Sequence, residues 1–214
     1  MANYLKKIND DEDFNVWPIF SDVTFAIILI LIFIMLGQYV VIGKMLEIQK
    51  ISKEQKLLSN KLKEAFPNSY GTAIKDFTQP QLQKIIFSDK ILFDTGSDSL
   101  KSEGKTVLHE IAKILNSIRQ RRAFDEIQVR GHRDDRTIGR ALRKKFPSNW
   151  ELSAARAISV VRFFVDECHL NPSKVLLVSA QGFAQFDPIS DNETDEGRAM
   201  NRRIEILIKY PFSL

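Results

Sequence analysis

One carboxylate stands at the start of a long apolar run, where it could bind and release a cation. Asp22 follows Phe20 and Ser21, and no further charged residue occurs before Lys44. A carboxylate beside apolar surroundings is costly in its charged form, so it can take up a proton or pair with a cation. The same residue could instead cap the first turn of a helix, because negative charge stabilises a helix N-terminus. The residues alone leave both interpretations open.

A second group of side chains has the residue types of a catalytic site but not the spacing. Ser153, His132 and Asp134 are the three types of a hydrolytic triad, yet no nucleophile-elbow sequence surrounds Ser153. The other two histidines, His109 and His169, lie in different predicted segments without ligand spacing to His132. We therefore predict that the protein is not an enzyme, holds no metal and needs no cofactor, and that His132 is structural.

Seven of the basic residues are clustered, although the net charge of the chain is only +4. They are Arg130, Arg133, Arg136, Arg140, Arg143, Lys144 and Lys145. A solvated insertion is the simplest interpretation, contact with an anionic polymer is the second, and nucleic acid is the third. The run lacks aromatic residues that would stack on bases, so we expect no direct binding of nucleic acid.

The elements that must position these residues begin with a membrane span. Residues 23–42 carry no charge and would form a helix of about 30 Å, which crosses a bilayer once. An acidic run at residues 10–13 precedes the span, whereas a cleavable signal peptide has a basic start and a shorter apolar stretch. We predict a retained anchor behind an N-terminal segment, residues 1–22. With 214 residues in all, a large multidomain enzyme and a multi-span transporter are excluded.

A heptad pattern follows the span. Its a and d positions are Val41, Ile48, Ile51, Leu58, Leu62 and Ala65, with Lys44 and Gln55 as polar interruptions. Residues 43–66 are therefore predicted to form a short parallel coiled coil, and hence a homodimer. An amphipathic helix lying on the membrane or on a partner is the alternative. In this register Asp22 faces away from the seam, so only a second, different protein would cover it.

The remainder is predicted to be a linker, residues 67–80, and one α+β domain, residues 81–214. Strand-like segments at 90–94, 126–130, 174–180 and 202–209 alternate with helix-like segments at 102–119 and 149–167. This order indicates a mixed sheet with helices on one face. Ser148 and Glu151 form a capping box that predicts the start of the second helix. Asn149, Leu152, Ser153 and Arg156 would share one face of that helix.

Four segments, in order, resemble the signature segments of OmpA-like peptidoglycan-binding domains. They read FDTGS at 93–97, IQVRGHRD at 127–134, NWELSAARA at 149–157 and NRRIEI at 201–206. The Asn-Trp-Glu-Leu-Ser version resembles the MotB branch of that family most. The run Phe20-Ser21-Asp22-x-Thr24 is similar to the segment that holds the ion-carrying aspartate of MotB-type stator subunits.

The resemblance implies a binding site for the peptide stem of peptidoglycan. The residues that it assigns are Asp134, Asn149, Leu152, Ser153 and Arg156. Diaminopimelate in the stem presents a carboxylate and an ammonium group side by side. Arg156 would offer a bidentate fork to the carboxylate, and Asp134 would accept from the ammonium group. Arg133 departs from the Thr usual in the family at that position.

The resemblance also implies an architecture and a role. The chain would be the B-subunit of a proton- or sodium-driven stator in the bacterial inner membrane, with its N-terminus in the cytoplasm and its C-terminal domain in the periplasm. Its lysines do not follow the positive-inside rule for that orientation. A homodimer would sit inside a multi-span, MotA- or ZorA-like ring partner, and Asp22 would carry the ion.

Two kinds of motor and one passive anchor fit this architecture. The short chain, acidic N-terminus and short linker look more like ZorB, the B-subunit of Zorya anti-phage defence systems, than like flagellar stator subunits. A flagellar or gliding motor subunit, similar to MotB, is the alternative. A passive peptidoglycan tether without a motor role is the third possibility.

Overall fold

The computed structural model describes residues 16–71, 74–121, 123–170, 173 and 176–211. Most of the predicted N-terminal segment, residues 1–15, and the first two residues of the predicted strand 174–180 lie outside this range. The chain divides into two compact units, one ending at Leu46 and the other running from Glu47 to Leu214. Each unit is described separately below.

The first unit contains the apolar part of helix α1, Trp17–Ala65. This part is long and apolar enough to cross a membrane, with a mean hydropathy of 2.8 over its most apolar 18 residues. None of that stretch is buried within the protein. Apolar side chains that no protein surface covers are expected where lipid takes the place of water.

The second unit contains the remainder of α1, where one face is buried. Ile51, Gln55, Leu58 and Leu62 of this segment are buried, and the three apolar ones belong to the domain's main core. Three of the six seam residues of the predicted coiled coil therefore pack inside their own chain, which corrects that interpretation. A helix on a sheet and a helix in a coiled coil have nearly the same apolar period, so periodicity does not identify what covers the stripe.

Gln55, a polar interruption in the predicted heptads, is explained by the strands beneath it. Its side-chain amide donates to the backbone carbonyl oxygen of Gln79 at 2.8 Å, so Gln55 is bonded within its own chain and not across a coiled-coil seam. The backbone carbonyl oxygen of Gln55 accepts from the Gln83 side-chain amide at 3.2 Å, and that amide also donates to the Asp76 carboxylate. These hydrogen bonds satisfy buried polar groups and fix the helix on the sheet.

The second unit is built on one five-stranded sheet. Its strands are β1 (Ile74–Gln79), β2 (Leu82–Ser88), β3 (Glu126–Gly131), β4 (Leu177–Gly182) and β5 (Arg203–Lys209). The order across the sheet is β1-β2-β5-β3-β4; β3 and β4 are parallel and the other pairs are antiparallel. The α+β class and mixed sheet are therefore confirmed. The predicted linker, residues 67–80, is corrected, because residues 74–79 form the edge strand β1.

Helices complete the second unit. They are α2 (Asp89–Leu92), α3 (Ser102–Arg119), α4 (Asn149–Arg162) and α5 (Asp195–Asn201), and a π-helical turn, Phe163–Glu167, extends α4. The strand predicted at 90–94 is wrong, because the chain leaves β2 and forms the single turn α2. Gly104 of α3 lies so close to Leu92 that a side chain at 104 would meet the Leu92 backbone. The cap of α4 is confirmed: Glu151 accepts from the Ser148 backbone at 2.7 Å.

Candidate functional site

A charged cleft of about 380 Å³ opens where three strands end at the same edge of the sheet. Asp89 follows β2, Asp134 follows β3, and Arg202 precedes β5; the register pairs Ser88 with Arg203 and Gly131 with Ile204. The ionisable residues that line the cleft are Asp89, Lys90, Asp94, Arg133, Asp134, Arg136, Arg156 and Arg202. Five of these eight are basic, so the cleft favours a ligand with negative charge.

Five of the lining side chains form one row of alternating charge, which we call the cleft chain. Arg156 Nη1 lies 2.7 Å from Asp89 Oδ2, and Arg202 Nη1 lies 2.6 Å from Asp134 Oδ2. Arg133 stands between the two carboxylates, with Nη1 3.7 Å from Asp89 Oδ2 and Nη2 3.4 Å from Asp134 Oδ1. Three guanidinium groups thus share two carboxylates.

Arg156 is placed in this row by α4 and is held from three sides. Besides its pair with Asp89, it donates from Nε to the Ser97 carbonyl at 2.8 Å and from Nη2 to the Asp94 carbonyl at 3.2 Å. The residue is only 2% exposed. Its hydrogen bonds fix the 94–97 segment against α4.

Asp134 has one oxygen committed and one available. Oδ2 accepts from Arg202, whereas Oδ1 is buried and, among the residues that the structure describes, has no hydrogen-bond partner. A buried carboxylate oxygen without a donor is costly, unless a ligand supplies one. Asp134 therefore has the geometry to accept from a cationic group in the cleft.

The other predicted site residues support the cleft rather than line it, with one exception. Leu152 lines the cleft and packs with Ile138 and Phe146. Asn149 donates to the Arg136 carbonyl at 3.0 Å and so fixes the loop after β3. Ser153 is fully buried and accepts from the Ala184 backbone at 3.1 Å. Asn149 and Ser153 are outside the cleft lining.

Two glycines let the sheet and α4 approach each other closely behind the cleft. A Cβ atom on Gly131 would collide with the Ser153 carbonyl oxygen, and one on Gly182 would lie 2.7 Å from the Ala154 nitrogen. These collisions are with backbone, which cannot move aside easily. The ends of β3 and β4 and the second turn of α4 therefore form one fixed wall behind the cleft.

Sequence reasoning missed two members of the cleft chain. Arg202 lies within the quoted NRRIEI segment, but nothing in the spacing distinguished it from Arg203. Asp89 lies outside all four quoted segments, and only the end of β2 brings it to Arg156. Arg202 was detectable as part of a motif, whereas Asp89 carried no signal.

A second charged group, which we call the buried cluster, lies on the other side of Arg202 along β5. Its members are Lys84, His132, Asp187, Arg203 and Glu205. Arg203 Nε donates to Glu205 Oε1 at 2.7 Å, and Lys84 Nζ lies 3.2 Å from Glu205 Oε2. Arg203 also donates to the Asp187 carbonyl at 3.0 Å. Two cations and two anions balance here, with Arg203 and Glu205 almost completely buried.

The imidazole of His132 lies between the two carboxylates of the buried cluster. Nδ1 is 3.7 Å from Asp187 Oδ2 and Nε2 is 3.6 Å from Glu205 Oε2, and in the described part of the chain neither nitrogen has a hydrogen bond. Burial lowers the pKa of His132, so the ring is neutral. Burial alone would raise the pKa of Glu205, but the contact with His132 and the charge of Arg203 outweigh it and lower it to about 2.

His132, Asp187 and Glu205 are also the group of described residues that could offer three ligand atoms to a metal, within 4.8 Å of one another. Arg203 and Lys84 already neutralise both carboxylates, and a divalent cation would have to displace them. The arrangement therefore fits a neutral structural cluster better than a metal centre.

Asp22 lies inside helix α1 rather than at its beginning. The helix starts at Trp17, so Asp22 is in its second turn and does not cap it. Asp22 is exposed, as are its neighbours in the helix. The capping interpretation is therefore wrong, and a carboxylate facing outward from an apolar helix remains.

The predicted basic cluster does not form one continuous patch. Arg130 stacks on Phe183, with 5.1 Å from the guanidinium carbon to the ring centre. Arg136 pairs with Asp195 at 2.7 Å, and Lys145 pairs with Asp98 at 2.6 Å. Because these charges are divided among different partners, the cluster offers no broad surface for a polyanion.

The second unit is therefore an α+β domain with a charged cleft, and an apolar helix precedes it in the chain. The model of the OmpA family matches residues 92–202, which is more than half of the chain, and the protein belongs to that family.

Relatives and solved structures extend this assignment. Motility protein B of Bacillus subtilis (strain 168) is 34% identical over 124 residues, covering 58% of this chain and 44% of that protein. The chain spans about half the length of the first curated relatives that it matches. The crystal structure of a MotB-like protein from Desulfovibrio vulgaris has a TM-score of 0.65 and 26% identity, covering 78% of this chain and 99% of that one. The cell wall anchor of the T6SS from Pseudomonas aeruginosa has a TM-score of 0.59 and 26% identity, covering 71% and 96%.

Proposed function

We propose that this protein is the B-subunit of an ion-driven motor in the bacterial inner membrane, and that its C-terminal domain holds the motor to peptidoglycan. The observation that carries the proposal is a combination on one chain. Asp22 faces outward from an apolar helix, and an OmpA-family domain with a charged cleft follows it. An anchor alone would need the domain and the span but not the carboxylate.

Wall binding is supported by the chemistry of the cleft. A diaminopimelate end carries an ammonium group and a carboxylate side by side, and the cleft chain presents a free Asp134 oxygen beside guanidinium groups. Charge-assisted hydrogen bonds of this kind are the strong ones. In this proposal Asp134 accepts from the ammonium group and Arg156 offers its guanidinium group to the carboxylate. Leu152 lines the cleft, and Asn149 and Ser153 support it from behind. The similarity to the cell wall anchor of the T6SS from Pseudomonas aeruginosa supports the same proposal.

Ion transport is proposed from Asp22. A carboxylate in an apolar helix is a functional site by default, because its charge is expensive there. The ion is a proton or sodium, and a multi-span, MotA- or ZorA-like ring would surround two copies of this chain. Movement of one charge through 100 mV yields about 2.3 kcal/mol, which would turn one part of the complex against the other. The domain would lie in the periplasm and the N-terminus in the cytoplasm.

Two machines remain, each favoured by a different region. The acidic N-terminal segment and the short stretch between span and domain favour a ZorB-like subunit of a Zorya anti-phage system. The relatives named motility protein B favour a flagellar or gliding motor, although their similarity covers only 58% of this chain. A passive wall tether is the remaining alternative, and it gives Asp22 no role.

One experiment separates the three. Cells carrying the intact operon are compared with cells carrying Asp22→Asn at matched protein level, and both phage plating and swimming are scored. Loss of protection supports a defence motor, and loss of swimming supports a motility motor. If neither changes, the motor proposal is wrong and the tether replaces it. Ser21→Asn is the matched control, because it places the same amide one residue away and keeps the carboxylate.

A further inference from the structure

Two aromatic side chains stack on each other at the surface of the second unit. Trp150 lies in the first turn of α4 and Phe186 in the loop that follows β4, with ring centres 5.3 Å apart and ring planes at 26°. Nevertheless, 48% of Trp150 and 65% of Phe186 remain exposed. Single exposed apolar residues are ordinary, whereas two rings that hold each other in place form a preorganised apolar surface. We call this surface the aromatic pair.

The aromatic pair lies at the same edge of the sheet as the cleft. The last residues of β3 and β4 are paired, and the loops that follow these strands are bonded to each other. The Arg133 backbone nitrogen donates to the Ala184 carbonyl at 2.6 Å. The Asn149 side chain donates to the Arg136 carbonyl in the first loop and to Gln185 Oε1, at 3.3 Å, in the second. Because neighbouring strands are only about 4.8 Å apart, an extended ligand in the cleft can continue onto the rings.

Polar groups flank the aromatic pair, and the protein does not use all of them. Gln185 precedes Phe186; its Oε1 accepts from Asn149, and within the described part of the chain its NH₂ group makes no hydrogen bond. Glu151 follows Trp150, and only its Oε2 is engaged by the Ser148 cap. One donor and one acceptor therefore remain beside the rings. An acetamido group offers the matching carbonyl oxygen and N–H.

We propose that Trp150 and Phe186 form a saccharide subsite, on which an N-acetylated sugar of the glycan strand stacks while the stem peptide occupies the cleft. A pyranose ring presents a face of C–H groups, which pack against the negative face of an aromatic ring. The sugars of peptidoglycan are neutral and its stem is charged, and the aromatic pair and the cleft differ in the same way. The inference rests on the proposed binding of peptidoglycan and adds a second contact to it.

The size of the aromatic pair fits a sugar better than a protein partner. A stable protein interface covers about 800 Å² on each side. Two aromatic side chains offer at most about 500 Å² together, and here each already covers part of the other. Phe77 is also exposed, but it lies on β1 at the opposite end of the strand order, so it does not enlarge this surface.

The test measures binding of the two halves of peptidoglycan separately. The full chain is studied by calorimetry in micelles of a detergent without a sugar headgroup. The β-1,4-linked tetrasaccharide of N-acetylglucosamine supplies sugars without peptide, and L-Ala-γ-D-Glu-meso-diaminopimelate supplies the stem without sugar. We expect Trp150→Ala to bind the tetrasaccharide about tenfold more weakly, because it removes one stacking contact. Its affinity for the tripeptide should change less than about twofold.

A direct signal from the ring complements the affinities. The chain contains two tryptophans, Trp17 and Trp150, so Trp17→Phe leaves Trp150 as the sole fluorophore. Its emission should shift to shorter wavelength when the tetrasaccharide excludes water from the indole. The tripeptide, which binds in the cleft, should leave the emission unchanged. A purely structural role of the stacking would give no shift with either ligand.

Three variants keep the result interpretable. Phe77→Ala removes a ring of similar exposure, 52%, from a different surface and should bind the tetrasaccharide as wild type does. Trp150→Phe keeps a ring and should lose less than about threefold. Phe186→Ala alters only an exposed loop, should weaken tetrasaccharide binding several-fold, and decides the matter if Trp150→Ala does not fold. Reactivity of the buried Cys168 thiol reports folding in each case.

The outcomes separate this inference from the proposed function. If wild type binds the tripeptide but not the tetrasaccharide, the saccharide subsite is overturned while wall binding stands. Equal binding of the tetrasaccharide by wild type, Trp150→Ala and Phe186→Ala would overturn it as well. Binding of the tetrasaccharide alone would support the subsite and contradict the role of the cleft. If wild type binds neither ligand nor purified sacculi, both proposals fail.

Discussion

The cleft chain and the buried cluster are two groups of ion pairs in one domain, and they differ in how completely their charges are balanced. In the buried cluster Lys84 and Arg203 face Glu205 and Asp187, and the imidazole between the carboxylates is neutral. In the cleft chain three guanidinium groups face two carboxylates. The first group is closed, in that its two cations match its two carboxylates, whereas the second has one positive charge to spare.

The difference teaches how to separate structural from binding charges in a domain with many of both. Burial alone does not do so, because Asp134 and Arg156 are as buried as Arg203. What distinguishes the two groups is the charge that remains after each charged side chain is matched with its partners inside the protein. Substitutions in a balanced group should lower stability and affect binding little. Substitutions of the unbalanced charges in the other group should affect binding more than stability.

Removal of a member of the closed group should have the largest effect on stability. Glu205→Ala leaves Arg203 buried without its 2.7 Å partner, and we expect the free energy of unfolding to fall by about 3–5 kcal/mol. The measurement is the urea dependence of Cys168 labelling, since this buried thiol is the only cysteine in the chain and reports on the domain alone. A loss below 1 kcal/mol would contradict the assignment of this group as structural.

Acid should also lower the free energy of unfolding, because it protonates Glu205 of the buried cluster. The pKa of Glu205 is about 2 in the folded protein against 4.5 ordinarily, so its stabilisation is complete above pH 4.5 and is lost as pH falls toward 2. The difference corresponds to about 3 kcal/mol. The lowered pKa of His132 has the same sign, since stability falls as pH drops below 6.5 and the unfolded chain gains its proton first.

The comparison to make is wild type against Glu205→Gln between pH 7 and pH 3. Because the amide does not titrate, the gap in unfolding free energy between the two proteins should narrow as pH falls. A gap that stays constant over this range would show that Glu205 is not the titrating group.

Arg156→Lys tests whether the outer arginine of the cleft chain behaves as a structural residue. Lysine keeps the charge but cannot reach Asp89, the Ser97 carbonyl and the Asp94 carbonyl together. We expect a loss of about 2 kcal/mol in unfolding free energy, measured by the same labelling. Unchanged stability would mean that these three contacts contribute nothing to the fold.

Arg133→Thr should have the smallest effect on stability. Asp89 and Asp134 keep their closer partners, so the free energy of unfolding should change by less than about 1 kcal/mol. A destabilisation as large as that of Glu205→Ala would mean that the cleft chain is as closed as the buried cluster.

Much of the domain was predictable because local signals agree with the fold. The capping box at Ser148 and Glu151 placed the start of α4, and the apolar periods placed α3 and three of the strands. Asp134, Leu152 and Arg156 were predicted as site residues and do line the cleft. In each case the local sequence pattern lies in the same segment as the residue or element that it predicts.

The rest depended on contacts between distant segments, which no local pattern encodes. Asp89 reaches Arg156 only because the end of β2 lies beside the middle of α4. The stripe through Ile51, Leu58 and Leu62 predicted burial correctly but not the surface that buries it. Ser153 supports the rear of the cleft through a hydrogen bond from the Ala184 backbone, 31 residues away.

The backbone contact at Gly131 and Gly182 limits how the site can vary. Neither position accepts a side chain, so the rear of the cleft cannot be reshaped by substitution without moving α4 from the sheet. Substitutions that reshape the cleft should instead fall on the loop from Arg133 to Leu142, whose residues line it. A designer who wishes to redirect this domain to a different wall chemistry should therefore diversify that loop and leave the glycines untouched.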